Sequence, residues 1–588
     1  MLNKLNVAVK ELANYYPVFN NLKVNEFIKG NKTSFKDGIL TSPSLNQALF
    51  YLIHNLNGFE VEVNNSFDTF GTMIDLSRNA VFKVSYMKEV IRKKALLGVN
   101  KIMLYMEDVY YVEGEPYFGY MRGRYSHDEL REIVKYAKLF DIEIIPSIQT
   151  LGHFGQLLKW GHNAKLKDLP TVILARSEET TKFITKLIKT MADIFETKEI
   201  HIGMDETFGL GFGQFYKNNG YVPQYEIFIE HLKLVNAICL DYGFKDVMIW
   251  SDMFFRISSK NNEYYDLDVN VLDKYKKAVP SNVKLVYWDY YNSNPEIVDK
   301  MIKKHQEFNN ETVFASGTWI WTKLAYDKVQ TDKTAKVHID KSIENNLSEI
   351  YFTQWNDDGS PANYDTSFLG VYEMAVYAFI NDKLPVSKVF TYINGSSYEE
   401  QLLVAKINES PIQPLPLLWD DSLNGIYLNN EVAKNANIID ETIKFFNSYI
   451  NELKDINECF DIKHNLIISN LLKSKLIIRK DLWNNYHNKK SLLPIIDELN
   501  IAINLTEELL LSFRKMWLKR NKAFGLDVIQ ARLASMMYRF KETIMRINDY
   551  ENKVIDKIDE LEEEIGPYQP IRMNHMNVAF SSVHILSY

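Results

Sequence analysis

KEIHIGMDET, from Lys198 to Thr207, decides how the rest of the chain is read. Ile200, Ile202 and Met204 fall on one face of an extended segment and His201, Gly203 and Asp205 on the other, because strand side chains repeat every two residues. A polar inner face beneath an apolar outer one predicts a barrel strand. Glu206 can join Asp205 on the polar side only if the strand ends there and turns. An acid pair at the C-terminal end of a strand stands where (β/α)8 barrels carry their chemistry. The dipeptide alone means little: Asp-Glu recurs at Asp128-Glu129, Asp440-Glu441, Asp497-Glu498 and Asp559-Glu560, in stretches that read as solvated helix faces. What sets the 205–206 pair apart is the buried-looking strand before it and the Gly-rich run Gly209 to Gly213 after it.

Working outward, short apolar runs alternate with amphipathic stretches from about Phe70 onward. The expected strands are Gly71 to Leu76, Lys101 to Glu107, Glu143 to Thr150, Glu199 to Met204, Asp246 to Trp250, Lys284 to Tyr290, Thr312 to Gly317 and Glu349 to Trp355. Between most of them lie helical patterns: Val84 to Leu97, His127 to Phe140, Glu179 to Phe195, Tyr225 to Tyr242 and Asn294 to Phe308. This is the sequence pattern of an α/β (β/α)8 TIM barrel. An open doubly wound sheet is the competing architecture, but no GxGxxG opens a helix and there is no GxxxxGK[ST] loop.

We expect three domains: a small N-terminal α/β domain over 1–66, the barrel over 67–383 and a helical C-terminal domain over 384–588. The first holds extended pieces, a helix over Leu45 to Leu56 and a strand over Phe59 to Val63. The last is read from long helical patterns at Ile438 to Leu453, Asp461 to Lys475, Leu492 to Trp517 and Leu526 to Glu564, spaced for packed helices rather than a sustained heptad. The acidic run Glu560 to Glu564 reads as a solvated face, and the tail after Pro567 as strand-like.

A chain of 588 residues with a formal charge of −8 and no dense basic stripe excludes nucleic acid as an expected partner. No apolar run of about 18 residues calls for a membrane span. The N-terminal MLNKLNVAVKELANYYPVF lacks an apolar core and a small-residue cleavage site, and Cys239 and Cys459 stand far apart. A cytoplasmic protein without a disulfide framework is therefore expected.

In a barrel, the strand ends face one pocket. They offer Asp75, Ser77 and Arg78; Glu107 and Asp108; His153; Asp205 and Glu206; Trp250; Trp288, Asp289 and Tyr290; Trp319 and Trp321; and Trp355, Asn356, Asp357 and Asp358. Five of the nine tryptophans lie between 250 and 355, each at or just after a strand end, which fixes the substrate class. Indoles interleaved with carboxylates, an arginine and a histidine suit a sugar, whose C–H faces stack on rings while its hydroxyls need polar partners. A metal held by His153, His201, Asp205 and Glu107 is the other sharp option. No HExxH or cysteine cluster supports it, and His201 reads as a hydrogen-bonded barrel-layer residue, so neither metal nor cofactor is expected.

The motifs GTMIDLSRN with Arg78, QTLGHFG with His153, HIGMDET with Asp205 and Glu206, YWDYY with Tyr290, and TQWNDDG with Trp355 and Asp357 resemble glycoside hydrolase family 20, the β-N-acetylhexosaminidases. NKAFGLDVIQARL, Asn521 to Leu533, is similar to the helical C-terminal domain of the compact intracellular bacterial branch, for which a homodimer is implied. The chain departs from the lysosomal pattern at strand eight, with Asn-Asp where that pattern has a small residue and Glu.

The resemblance implies an exo-acting enzyme that removes terminal non-reducing β-GlcNAc or β-GalNAc from an oligosaccharide or glycoconjugate. A conventional retaining glycosidase sets its two carboxyl groups about 5 to 5.5 Å apart across the scissile bond, which neighbours on one strand end cannot easily do. Substrate-assisted catalysis removes that need, because the 2-acetamido oxygen attacks C1 and forms an oxazolinium ion. On this reading Glu206 is the general acid/base, kept protonated by its negative neighbour. Asp205 orients the acetamide, and Tyr290 donates to its oxygen, with Tyr291 the fallback. Trp250, Trp321 and Trp355 box the sugar, with Trp288 and His153 beside them and Trp319 a further choice; Arg78 and Asp357 fork onto hydroxyls at the closed end. Two alternatives stay open: a glycosidase of another sugar that forms a covalent intermediate on Glu107 or Asp289, and a non-catalytic carbohydrate-binding barrel.

Overall fold

The computed structural model describes residues 1–380, 387–456 and 459–563. A three-stranded sheet comes first, in the order β1-β3-β2: β1 (Glu26–Lys29), β2 (Ser34–Lys36) and β3 (Ile39–Ser42). The barrel strands follow as β4 (Thr69–Asp75), β5 (Lys101–Tyr105), β6 (Glu143–Ser147), β7 (Glu199–His201), β8 (Asp246–Trp250), β9 (Val283–Trp288), β10 (Thr312–Gly317) and β11 (Glu349–Gln354). All eight are parallel in chain order, and the cylinder closes where β11 pairs with β4, from Glu349 on Thr69 to Gln354 on Ile74. The expected (β/α)8 barrel is thus the fold. Helices Val84–Ala95, His127–Lys138, Glu178–Ile194, Gln224–Asp241, Pro295–Gln306 and Lys328–Glu344 connect the strands. Ser126 and Glu129 form a capping box that starts the second of these, and the Ser177 side chain caps the third.

Most strands end earlier than the alternation predicts. β5 stops at Tyr105 and β7 at His201, because Glu107, Gly203 and Met204 take positive φ (42°, 70° and 73°) and turn the chain out of the ladder. In the lead-in region the helix Leu45–Leu56 forms as expected, and Leu2–Ala13 is a further helix. Phe59 to Val63 is not a strand. Its alternation is real, with Val61 and Val63 buried and Glu60 and Glu62 exposed, but no neighbouring strand pairs with it.

The chain forms two compact units. The first comprises Met1–Trp319, Gln330–Trp355 and Gly370–Gly395; the second comprises Ile320–Val329, Asn356–Leu369 and the chain from Ser396 onward. The second is built on four long helices, Ile438–Lys454, Phe460–His487, Ile495–Arg520 and Leu526–Glu551, around a core that includes Leu472, Leu509, Phe513, Leu533 and Phe540. The last helix ends thirteen residues before the expected Glu564, where Lys553 takes φ 60°. Within the acidic run Glu560 is not merely solvated, since it pairs with Arg546 at 2.9 Å. The expected boundary at 383/384 and the tail after Pro567 lie outside the described residues. Among the described residues no helix is long and apolar enough to cross a membrane, and Cys239 and Cys459 are unpaired.

At the N-terminal end of the barrel, strand-start residues of alternating charge close the interior. Lys101 meets Glu199 at 2.6 Å, Lys284 meets Glu349 at 2.6 Å, and the Tyr351 hydroxyl donates to Glu349 at 3.1 Å. The chemistry-bearing residues are therefore confined to the opposite end.

Candidate active site

The turn after β7 builds the site. His201 is fully buried; its Nδ1 accepts the Gly203 N–H at 3.1 Å, and its ring lies 4.3 Å from that of Trp250. Burial depresses the imidazole to about 3, so His201 is neutral and packs inside the barrel against Trp250. The Met204 N–H donates to Gln149 Oε1 at 3.2 Å, which ties the turn to the end of β6. Gly203 is required here, since a Cβ at its φ of 70° would overlap the Gln149 carboxamide. Positive φ at Met204 (73°) and Glu206 (50°) then turns two consecutive carboxylates toward one histidine.

That histidine is His153, from the turn after β6, itself at φ 58°. Its Nε2 lies 3.1 Å from Asp205 Oδ2 and 3.5 Å from Glu206 Oε2, and its Nδ1 lies 3.6 Å from Glu107 Oε1. Burial disfavours charge on His153, but Asp205 and Glu107 outweigh it and raise the imidazolium to about 10. Burial likewise works to raise Asp205; the His153 charge and the hydrogen bonds from His153 and Gln149 hold it below the usual carboxylate range. Gln149 Nε2 donates to Asp205 Oδ1 at 2.8 Å and to the Tyr105 hydroxyl at 2.9 Å, and Tyr105 donates to Glu107 Oε1 at 3.0 Å. One chain of hydrogen bonds thus runs from Asp205 to Glu107.

Arg78, three residues past the end of β4, lies 3.3 Å from Asp75 and 3.6 Å from Glu107, its guanidinium 5.0 Å from the rings of both Tyr105 and Trp355. Trp250 is the floor, 1 % exposed, 6.0 Å from Trp355. Trp288 and Tyr290 stack at 5.5 Å and 19°, as their shared strand parity predicts. Tyr290 is 5 % exposed and faces Thr353 and Trp355, whereas the fallback Tyr291 is 55 % exposed and packs on Trp319 at 5.4 Å. The first unit therefore brings together Arg78, His153, Asp205, Glu206, Trp250, Trp288, Tyr290, Trp319 and Trp355. Trp321 and Asp357 belong to the second unit. Asp289 is occupied by Tyr287, Tyr291 and Asn292, which makes it a loop anchor rather than a spare nucleophile.

Sequence reasoning missed four members of the site. Gln149 opens the QTLGHFG motif and was legible there; Asp252 follows Trp250 by two residues, the spacing of a strand-end acid. Tyr105 and Tyr264 carry no signal. The Asp252 carboxyl, wholly buried, accepts the Glu206 N–H at 3.2 Å. Burial and the negative neighbours Asp205 and Glu206 push it well above the usual range, favouring the neutral acid. Tyr264 donates to Glu206 Oε1 at 2.7 Å. Among the described residues no group of three or more histidines, cysteines and acids is arranged to hold a metal ion.

Comparison with known proteins gives the family. Residues 67–371, just over half of the chain, match the profile of the glycosyl hydrolase family 20 catalytic domain, and residues 406–579 match the glycoside hydrolase 20C C-terminal domain. Hexosaminidase D of Bos taurus is 24% identical over 277 residues, covering 45% of this chain and 74% of that protein. Hexosaminidase D of Homo sapiens is 27% identical over 218 residues, covering 35% of this chain and 42% of the human one. In fold, the chain is similar to an exo β-N-acetylglucosaminidase of family 20 from Vibrio harveyi, with a TM-score of 0.50 at 14% identity over 68% of this chain and 72% of that one.

Proposed function

Because the chain belongs to glycoside hydrolase family 20, the hexosaminidase family, and is a glycoside hydrolase, we propose that it removes terminal non-reducing β-GlcNAc or β-GalNAc by substrate-assisted, retaining catalysis. The observation that carries this reading is the pair of consecutive carboxylates sharing His153, at 3.1 and 3.5 Å. Asp205, kept ionised, has lone pairs left after Gln149 and His153 to accept the acetamide N–H. The acetamide oxygen attacks C1 as the C1–O bond to the leaving group breaks, and the Glu206 proton passes to the departing oxygen. Water then attacks C1 of the oxazolinium ion, giving its proton to Glu206 and returning the electrons of the ring C–O bond to the acetamide, with net retention.

Tyr290 supports the acetamide oxygen; Trp250, Trp288, Trp355 and Trp319 enclose the sugar, and Trp321 and Asp357 are assigned to it as well. Arg78 and Asp357 bind hydroxyls at the closed end and make the enzyme exo-acting. The division at 66/67 and 383/384, a cytoplasmic location and a homodimer belong to the same proposal, the last checked by light scattering after gel filtration.

Aryl β-GlcNAc, β-GalNAc and β-glucoside substrates, with a thiazoline analogue of the oxazolinium ion, test the mechanism. Cleavage of the first two, no cleavage of the glucoside and thiazoline inhibition are expected. Equal cleavage of the glucoside without inhibition would remove the borrowed nucleophile. Asp205→Asn should lose about 100-fold or more in kcat; unchanged turnover would remove Asp205 from the mechanism.

A further inference from the structure

We infer that Tyr264, Arg256 and Phe208 form the leaving-group side of the site, Tyr264 positioning Glu206 and the open face of Phe208 receiving the ring of a second sugar as aglycone. The inference rests on Glu206 being the acid/base. Its two oxygens are not equivalent. Oε1 accepts from the Tyr264 hydroxyl at 2.7 Å, whereas Oε2 lies toward His153 at 3.5 Å, on the side of Asp205. The Tyr264 hydrogen bond to Oε1 fixes the plane of the Glu206 carboxyl and so sets the direction in which Oε2 faces the glycosidic bond. With the acetamide held at Asp205, the aglycone bonded to the protonated oxygen extends away from Asp205, past Glu206.

On that flank the residues are built for a ring. Phe208 follows Glu206 by two residues, its N–H donating to the Glu206 carbonyl at 2.8 Å, and it is 45 % exposed. The Arg256 guanidinium lies 4.2 Å from the Phe208 ring and 4.3 Å from the Tyr264 ring, and makes no ion pair among the described residues, so its charge is directed at the two rings. Trp288 meets Tyr264 edge-on at 4.9 Å. Tyr264 is thereby fixed from two directions, and Phe208 is held in place with a face free for the C–H surface of a pyranose.

The test uses the full chain, Tyr264→Phe and Phe208→Ala, with three β-GlcNAc glycosides: methyl (poor leaving group, no ring), a β-linked disaccharide (poor leaving group, ring) and 2,4-dinitrophenyl (good leaving group). Tyr264→Phe is expected to lower kcat at least ~10-fold on the methyl glycoside and the disaccharide but within ~3-fold on the dinitrophenyl glycoside, since only the first two need a well-placed acid. A uniform loss, or none, overturns the positioning role. Phe208→Ala is expected to raise KM for the disaccharide by ~5-fold with KM for the methyl glycoside unchanged; equal KM values, or equal changes in both, overturn the platform. Failure of the unsubstituted protein on all three substrates overturns the hexosaminidase reading itself, before any variant is compared.

Discussion

An imidazole set between the carboxylates of Asp205 and Glu107 is charged at neutral pH where a solvent-exposed one is mostly not, and His153 shows what that charge supports. It is the counter-charge that lets Asp205 stay ionised although buried. Its folded value, about 10, lies above that of a free histidine, so its contribution to stability is complete below about pH 6.5 and is lost as pH rises through 10. His153→Asn should therefore destabilise the protein by about 3 kcal/mol at pH 7, the cost of leaving a buried charge without its partner. Urea denaturation at pH 7 and again above pH 10 should find the difference shrinking; a constant difference would mean that His153 is held neutral. Asp252 makes the opposite case. A carboxyl already favoured as the neutral acid loses little on becoming an amide, because the amide oxygen still accepts the Glu206 N–H. Asp252→Asn is expected to keep kcat within about threefold, whereas Asp252→Leu, which removes the acceptor, should lower it about tenfold or more. Equal losses would show that the charge, not the acceptor, is what Glu206 needs.

At the scale of the element, the decisive feature is the manner in which β7 stops. Gly203→Ala places a Cβ in the left-handed region and against Gln149, so we expect about 1 to 2 kcal/mol of lost stability and a disproportionate fall in kcat, about tenfold or more, as Gln149 leaves Asp205. Thermal unfolding with kinetics on the same sample checks both parts. The same turn explains what could be read in the sequence. The alternation of short apolar runs with amphipathic stretches marks barrel strands well, and all eight were legible from it. It cannot register a change in the sign of φ, and Glu107, Met204 and Glu206 give no compositional warning, so several strand ends were placed too late. Asp205 and Glu206 reach the site through the turn, not by continuing the strand parity. The four other Asp-Glu pairs all lie in first turns of helices, where acids complement the helix dipole. Tyr264 was beyond reach because its segment has no periodicity to place it, and only the packing of Arg256 and Trp288 brings its hydroxyl to Glu206.

The molecule as a whole separates stability from chemistry along the barrel axis. Lys101 and Lys284 at the N-terminal end hold Glu349, against the effect of its burial, below the usual glutamate range. A depressed value contributes stability above the ordinary glutamate pKa and loses it as pH falls. Glu349→Gln should cost about 3 kcal/mol at pH 7, progressively less toward pH 3, with kcat unchanged; a loss of kcat in folded protein would contradict the separation. The loop after β11 is organised differently. Asn356–Leu369 belongs to the helical unit, where Arg532 holds Asp358 through both carboxylate oxygens, at 2.8 and 2.9 Å, and Arg520 holds Asp365 at 2.9 Å. Asp358 takes φ 61°, Gly359 φ 90° and Ser360 φ 56°, a run of left-handed residues that persists only if its surroundings impose it. Arg532→Met keeps the packing volume near Trp419 but removes the fork. Amide exchange across Asn356–Leu369 should then accelerate about tenfold or more, while exchange in the helix Val84–Ala95 of the barrel unit stays as it was. Because Asp357 precedes the pinned residue, KM for a β-GlcNAc glycoside should rise with the exchange rate if Asp357 binds the sugar as proposed. Faster exchange with KM unchanged would remove Asp357 from the substrate and leave Arg532 with a purely structural role.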